Sequence, residues 1–295
     1  MLRLNINFTY VIDLKQTILI SGIKGFLARN LTNLLKKDFS VFGIGKSSEI
    51  FNDVEVFSSS NIEEIKLNPD YIILCHAAVA SGTSSPSKDE LYAVNINLTK
   101  IIIDKFPTSK IIYISTASIY DSNTNTIIEK SLDNPQNEYS KSKHEAEKIV
   151  LKTQNAVIFR LSSLYGIGMK ENTIIPNYIN QALGRKIIEV WGDGLRKQNY
   201  IFIDDACQSI KCAIQRFDSI KNKVFLSVDI KEISNIELAQ IIANATNSKI
   251  NYVNDDFSKS LHYDNSLTCS LLNWKPRTDF VAEIHNYIKW KKEQF

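Results

Sequence analysis

Short apolar runs alternate along the chain with stretches in which apolar residues return every three or four positions. The first run, Thr17-Ile18-Leu19-Ile20-Ser21, has the unbroken hydrophobicity of a parallel strand buried on both faces. It enters Gly22-Ile23-Lys24-Gly25-Phe26-Leu27-Ala28, after which Leu27, Leu31, Leu34 and Leu35 keep helical spacing. A second run at Val41 to Ile44 then predicts a right-handed strand–helix–strand unit. Further strands are expected at Tyr71 to Leu74, Lys110 to Ser115 and Ala156 to Leu161, with helix-compatible segments at Leu91 to Phe106 and Ser140 to Lys152. This alternation predicts an α/β fold with an open, mostly parallel sheet.

Beyond about residue 165 strands become fewer, and helical stretches at Pro176 to Leu183, Asp205 to Phe217 and Asn235 to Thr246 are joined by polar loops. A smaller lobe over one end of the sheet is expected. Composition leaves this picture intact: 295 residues, 44% hydrophobic and 23% charged, exclude a disordered, collagen-like or coiled-coil chain. A net charge of +3 is too small for a nucleic-acid footprint. No apolar run approaches the ~20 residues of a membrane span. Cys75, Cys207, Cys212 and Cys269 lack zinc spacing and fit reduced thiols in the cytoplasm, and the four histidines are too dispersed for a metal site. Arg3, Asp13 and Lys15 interrupt the first residues, which read as a short extension and not a signal peptide.

Gly22, Gly25 and Ala28 form G-x-x-G-x-x-A where the first strand meets the first helix. Glycines there let backbone approach a pyrophosphate, and the free N–H groups and dipole of the helix start favour that anion. An NAD-binding unit usually ends its second strand in an acid that takes the ribose hydroxyls. Here the segment is Phe42-Gly43-Ile44-Gly45-Lys46-Ser47-Ser48, without an acid. Lys46, Ser47 and Ser48, with Lys24 in the glycine loop, suit a 2′-phosphate, so NADP(H) is expected over NAD(H).

Tyr139 and Lys143 stand four apart, on one helix face. Upstream, the strand at Ile111 to Ile114 ends in Ser115-Thr116-Ala117-Ser118, placing hydroxyls at a strand's C-terminal end, where open α/β sheets bind ligands.

Together these segments resemble the extended short-chain dehydrogenase/reductase family, in its branch of nucleotide-sugar epimerases, dehydratases and reductases. The resemblance rests on Ser21 to Ala28, Pro69-Asp70 leading to Ala77-Ala78, Asn95 in Val94-Asn95-Ile96-Asn97, Ser115 to Tyr120 and Pro135 to Lys143. It continues through Arg160 to Gly166, Gly192-Asp193-Gly194, Tyr200 to Asp205 and Leu272-Asn273-Trp274-Lys275-Pro276. It implies a Rossmann-type doubly wound parallel sheet with a smaller C-terminal substrate-binding lobe. The division implied is 1–16 as extension, 17–165 as dinucleotide-binding domain with a return segment at about 200–228, and 166–199 with 229–295 as the lobe.

The resemblance makes Tyr139 the general acid/base, Lys143 its electrostatic partner and ribose anchor, and Thr116 the substrate hydrogen-bonder. An ammonium ~4 Å away at an effective dielectric of ~20 contributes roughly 4 kcal/mol, which would bring a phenol down about three pKa units. The cofactor set implied is Gly22, Lys24, Gly25, Phe26, Leu27, Lys46, Ser47, Ser48, Ala77, Ala78, Asn95, Tyr139 and Lys143. The substrate set is Thr116, Ser118, Asn172, Ile174, Trp191, Arg196 and Gln198. A homodimer is implied across the helices bearing Tyr139 and following Asn95, although Leu91, Val94, Leu98, Ile101, Ile102 and Ile103 would equally suit packing on the sheet.

Departures from the family narrow the chemistry. Its 4,6-dehydratases carry Asp-Glu after the threonine, where this chain has Ala117 and Ser118. The 3,5-epimerase/reductases use a Cys here and a His in the lobe; Ser118 takes the former place and no His lies between His144 and His262. What remains is hydride chemistry at one carbon of a nucleotide-activated sugar: reduction of a 4-keto hexose, or 4-epimerisation. Retention of Thr116, Tyr139 and Lys143 speaks against a third alternative, a non-catalytic NAD(P)-sensing protein. Gln198 and Asn199 replace the Arg and Asp with which the family holds the diphosphate, so Arg196, Lys197 or Arg185 compensates, or the substrate is unusual.

Overall fold

A computed structural model describes residues 15–79 and 85–294; residues 1–14 of the expected extension lie outside the described residues. The first half runs β1 (Thr17–Ser21), α1 (Phe26–Leu35), β2 (Ser40–Gly45), β3 (Glu49–Phe51), β4 (Val54–Ser58), β5 (Tyr71–Leu74), α2 (Lys88–Leu91), a π-helical segment (Tyr92–Asn97), α3 (Leu98–Lys105), β6 (Lys110–Thr116) and α4 (Glu138–Lys152). Then come β7 (Ala156–Leu161), β8 (Ser163–Tyr165), α5 (Ile174–Arg185), β9 (Ile187–Trp191), β10 (Lys197–Phe202), α6 (Ile203–Ile220) and β11 (Val224–Ser227). The chain closes with β12 (Glu232–Ser234), α7 (Asn235–Thr246), β13 (Lys249–Val253), α8 (Ser266–Leu272) and α9 (Phe280–Lys292).

Among the described residues, eight strands form the main sheet in the order β11-β7-β6-β5-β1-β2-β4-β3, parallel throughout except for β3 against β4. Alternation of side chains along each strand builds a core on either face. Ile18 and Ile20 of β1 pack with Leu31 of α1 and Ile210 and Ile214 of α6 on one side. Leu19, with Ile72 and Leu74 of β5, packs with Ile102 of α3 and Val150 of α4 on the other. Among the residues expected either on the sheet or at a dimer face, Leu91, Ile102 and Ile103 are buried, while Ile101 points outward. A third core holds the lobe, where Ile179 of α5, Val190 of β9, Ile242 of α7 and Ile288 of α9 meet. The lobe is richer in strands than expected: β9 pairs in parallel with β13, and β10 lies between β8 and β12. Asp205, in the first turn of α6, also accepts the Arg277 and Thr278 N–H groups at 3.1 Å each, fastening the segment before α9. Among the described residues no helix is long and apolar enough to cross a membrane.

One buried guanidinium locks α4 to the sheet. Arg160 of β7 makes two bidentate forks, to Glu147 of α4 at 3.0 and 2.6 Å and to Asp133 at 2.5 and 2.9 Å, and stacks 4.5 Å over the Tyr120 ring. Removing one member of such a set leaves the others charged and dry. Arg160→Met is therefore expected to lower the unfolding free energy by about 3 kcal/mol or more, read by urea denaturation; an unchanged midpoint would contradict this role.

Candidate active site

The glycine turn follows from a close approach of two backbones. Gly22 adopts φ +67°, and a Cβ there would sit 2.8 Å from the Cα of His76, just after β5. Gly22 N–H donates to Ile44 O at 2.9 Å and Gly25 N–H to Gly22 O at 2.8 Å, which folds the turn onto the end of β2. Ile23 drops into the core, where Gly43 leaves it room: a side chain at 43 would meet Ile23 at 2.9 Å. Gly25 is then the N-cap of α1, without any side-chain cap, so the first N–H groups of the helix face an open cleft.

That cleft has a volume of about 520 Å³ and is lined by Gly22, Lys24, Gly25, Lys46, Ser47 and Ala77 among the residues expected to hold a dinucleotide. Phe26 and Leu27 are turned into the packing, and Ser48 accepts the Ser58 N–H at 3.1 Å, so these three do not line it. Asn95 is also corrected: its side chain is wholly buried, with Oδ1 accepting from Ala78 N–H at 2.8 Å and Nδ2 donating to Ala78 O at 3.2 Å and Ser142 Oγ at 2.8 Å. It ties the loop after β5 to α4 and has nothing left for a ligand.

The acid missing from the end of β2 arrives from elsewhere. Glu49, opening β3, lines the same cleft, takes Lys24 Nζ at 2.7 Å and accepts from Ser47 Oγ at 3.0 Å. Two of the groups assigned to a 2′-phosphate are thus turned onto a carboxylate. The signal lay in Asn52-Asp53, both at positive φ (50° and 63°), a two-residue turn that makes β3 and β4 a hairpin and folds Glu49 back.

Beneath the turn lies a buried chain of hydrogen bonds. Thr99 Oγ donates to Asn95 O at 2.9 Å and so accepts from His76 Nε2 at 3.0 Å, leaving His76 Nδ1 to accept from Ser21 Oγ at 2.5 Å. Burial, aided by the Lys143 charge, brings the His76 imidazole down to about 3.

Tyr139 and Lys143 lie on α4, whose N-cap is Asn137; its Oδ1 accepts the Ser140 N–H at 2.8 Å. Tyr139 is half-buried and Lys143 fully so. The Lys143 ammonium lies 4.1 Å from the centroid of the Tyr113 ring of β6, a partner the sequence did not reveal. Thr116 ends β6 and caps the turn of Ala117–Ile119, its Oγ 2.9 Å from Ser118 Oγ. The expected fall of the phenol toward neutrality does not occur. Burial pushes the Tyr139 hydroxyl up to about 12. It also brings the Lys143 ammonium down to about 7, against the opposing pull of Glu147. Desolvation is the leading cause for both groups; the ammonium rests on Tyr113, and no hydrogen bond among the described residues joins it to Tyr139.

Across the sheet end, Asn172, Ile174, Trp191 and Arg196 line a cavity of about 680 Å³, and Arg196, Gln198 and Ile174 line a second of about 390 Å³. The sequence-derived substrate residues of the lobe are therefore brought together. Gln198 Nε2 donates to Asn235 Oδ1 at 2.9 Å, and Asn199 is spent on the Asp229 backbone. Arg185 is paired with Glu189 at 2.8 Å and lines neither cavity; Arg196 lines both.

An amide-lined bend over a parallel sheet, with a Tyr–Lys helix beside a hydroxyl-tipped strand, defines a Rossmann-type α/β fold. The chain belongs to the NAD-dependent epimerase/dehydratase family, whose model matches residues 18–228, within the extended short-chain dehydrogenases/reductases. It is 30% identical over 208 residues to a GDP-6-deoxy-D-talose 4-dehydrogenase of Aggregatibacter actinomycetemcomitans, covering 65% of this chain and 68% of that protein. It is 27% identical over 270 residues to a dTDP-D-glucose 4,6-dehydratase of Dictyostelium discoideum, covering 78% of this chain but only 62% of the relative's length. The UDP-glucuronic acid 4-epimerase of Bacillus cereus, solved with UDP-glucuronic acid and NAD, superposes with a TM-score of 0.83 at 19% identity, over 94% of this chain and 100% of that one.

Because His76 must stay neutral in the fold while its ordinary value is 6.5, the unfolded chain binds the extra proton between those limits. The contribution of His76 to stability is complete above pH 6.5 and falls as the pH drops from 6.5 toward 3. His76→Gln should flatten that slope in urea titrations run at successive pH values; an equally steep slope would show that another group carries it.

Proposed function

We propose that this protein moves a hydride between a nicotinamide dinucleotide and C4 of a nucleotide-activated hexose, acting as a 4-keto reductase in the direction of synthesis. The observation that carries the reading is the Tyr139–Lys143 helix beside Thr116, with no acid at Ala117 or Ser118 to support elimination. The cleft fits the cofactor: Gly22 and Gly25 line it without side chains, and the start of α1 offers uncapped N–H groups. When bound, the dinucleotide supplies or accepts the hydride.

The chain's own residues handle the proton and the positioning. Thr116 Oγ orients the sugar oxygen. Tyr139, whose hydroxyl is held protonated, gives its proton to that oxygen as the carbonyl becomes an alcohol, and takes it back in reverse. Lys143 stabilises the resulting phenolate and anchors the cofactor ribose. Arg196, at the junction of the two lobe cavities, receives the diphosphate. The reading includes a cytoplasmic homodimer across the helices around Asn95 and Tyr139, where Tyr92 and Ile101 are exposed apolar side chains.

A second reading, 4-epimerisation with retained NAD, is favoured by Glu49. Preference for NADP(H) is one support for net reduction, and Glu49 occupies Lys24 and Ser47, so that of this group only the Lys46 side chain has no partner among the described residues. A 4-keto sugar nucleotide should consume reduced cofactor one for one; interconversion without consumption would select the epimerase. Tyr139→Phe should lower kcat by about 100-fold or more while cofactor affinity stays within about threefold. Unchanged turnover would end both readings. Calorimetric titration with NADH and NADPH decides the cofactor: in the Glu49→Gln variant NADPH should gain on NADH by about tenfold, and an unchanged ratio would remove Glu49 from the ribose site.

A further inference from the structure

The larger lobe cavity has a chemistry that a diphosphate alone does not explain. Its lining carries three carboxylates, Glu189, Asp255 and Asp256, against one cation, Arg196. Asp256 already accepts the Ser258 N–H at 2.9 Å and lies 3.8 Å from Arg196. Glu189 uses one oxygen on Arg185 at 2.8 Å and accepts nothing else among the described residues. It stands two residues from Trp191 on β9, where Ile188 and Val190 are buried, so the carboxylate and the indole share the outer face of the strand. Phe257, 91% exposed, lines the same cavity. Next to it, the smaller cavity is lined by Tyr200, only 4% exposed and with a hydroxyl that has no partner among the described residues, where Arg196 Nε is likewise unpartnered. The two spaces share Arg196 in their linings, and Tyr200 and Arg196 still lack polar partners that their burial demands.

We propose that this cavity takes the base of a guanine nucleotide, stacked on Trp191, with Glu189 accepting from its N1–H and N2–H groups. The inference deepens the reading of the chain as a nucleotide-sugar enzyme and rests on it. A planar base over an indole places its edge along the strand face, where Glu189 stands. Guanine presents two adjacent donors on that edge, which a carboxylate's two oxygens match, as they match an arginine fork. Uracil and thymine present one N–H between two carbonyl oxygens, which a carboxylate repels. Adenine and cytosine present one donor beside a ring nitrogen acceptor. The base thus sits among the carboxylates while its diphosphate reaches Arg196, which separates the two charge requirements.

The test is calorimetric titration of the full chain with GDP, UDP, dTDP, CDP and ADP. GDP is expected to bind at least about tenfold tighter than UDP or dTDP. In Glu189→Gln, folded by its melting temperature, GDP affinity should fall by about tenfold while UDP changes by less than about threefold. Trp191→Ala should weaken all five. UDP or dTDP binding as tightly as GDP to the unsubstituted chain would overturn the proposal without touching the hydride chemistry, and so would a GDP-to-UDP ratio unmoved by Glu189→Gln. Failure of all five diphosphates to bind would overturn both this proposal and the nucleotide-sugar reading.

Discussion

A single buried amide sets the distance between the two halves of the candidate site. Asn95 satisfies both backbone groups of Ala78 and the hydroxyl of Ser142, and Ser142 in turn donates to Tyr139 O at 2.8 Å. The loop that follows β5 into the dinucleotide cleft and the helix that carries Tyr139 and Lys143 therefore share one set of hydrogen bonds. The side chain reaches both because it lies in the π-helical segment Tyr92–Asn97, where the wider turn alters the facing of successive residues. Such a network is stable only if every member is satisfied. Here each polar atom of the Asn95 side chain has a partner.

Burial, more than pairing, sets the charges of the site. The Tyr139 phenol is raised, the Lys143 ammonium lowered and the His76 imidazole kept neutral, each with desolvation as the leading cause. A phenol that keeps its proton is ready to protonate a carbonyl oxygen, and a half-charged lysine on an aromatic ring gains charge when an anion is nearby. The site is thus electrically quiet by itself and responsive to what enters it. Glu49 adds a fixed negative charge at the far end of the cleft, balanced by Lys24.

The sequence was most legible where burial was most complete. The bounds of β1, β5 and β7 coincide with the expected apolar runs because strands covered on both faces leave no polar alternation to blur their ends. The β3–β4 hairpin was missed because its strands are short and lie at the sheet edge, although Asn52-Asp53 marks its turn, and with it went the position of Glu49. The expected lining residues of the lobe were found, since Asn172, Ile174, Trp191, Arg196 and Gln198 gather around two adjoining cavities. Their acidic companions were not, because Glu189 and Asp255 are brought together only by the parallel pairing of β9 with β13, some sixty positions apart along the chain. The placing of Asn95 failed, and the fastening role of Asp205 stayed hidden, for one reason: each side chain turns inward to backbone groups that no local pattern displays.

The main sheet is closed by a strand from far downstream. β11 pairs with β7 from Val224↔Ile158 to Ser227↔Leu161, and Phe225 packs 5.4 Å from Phe159. Every residue of β7 is buried in the finished fold. During synthesis, then, the first two hundred residues emerge from the ribosome with an apolar strand still open along one edge, and the nascent chain has to keep that edge from other polypeptides until α6 and β11 have been translated.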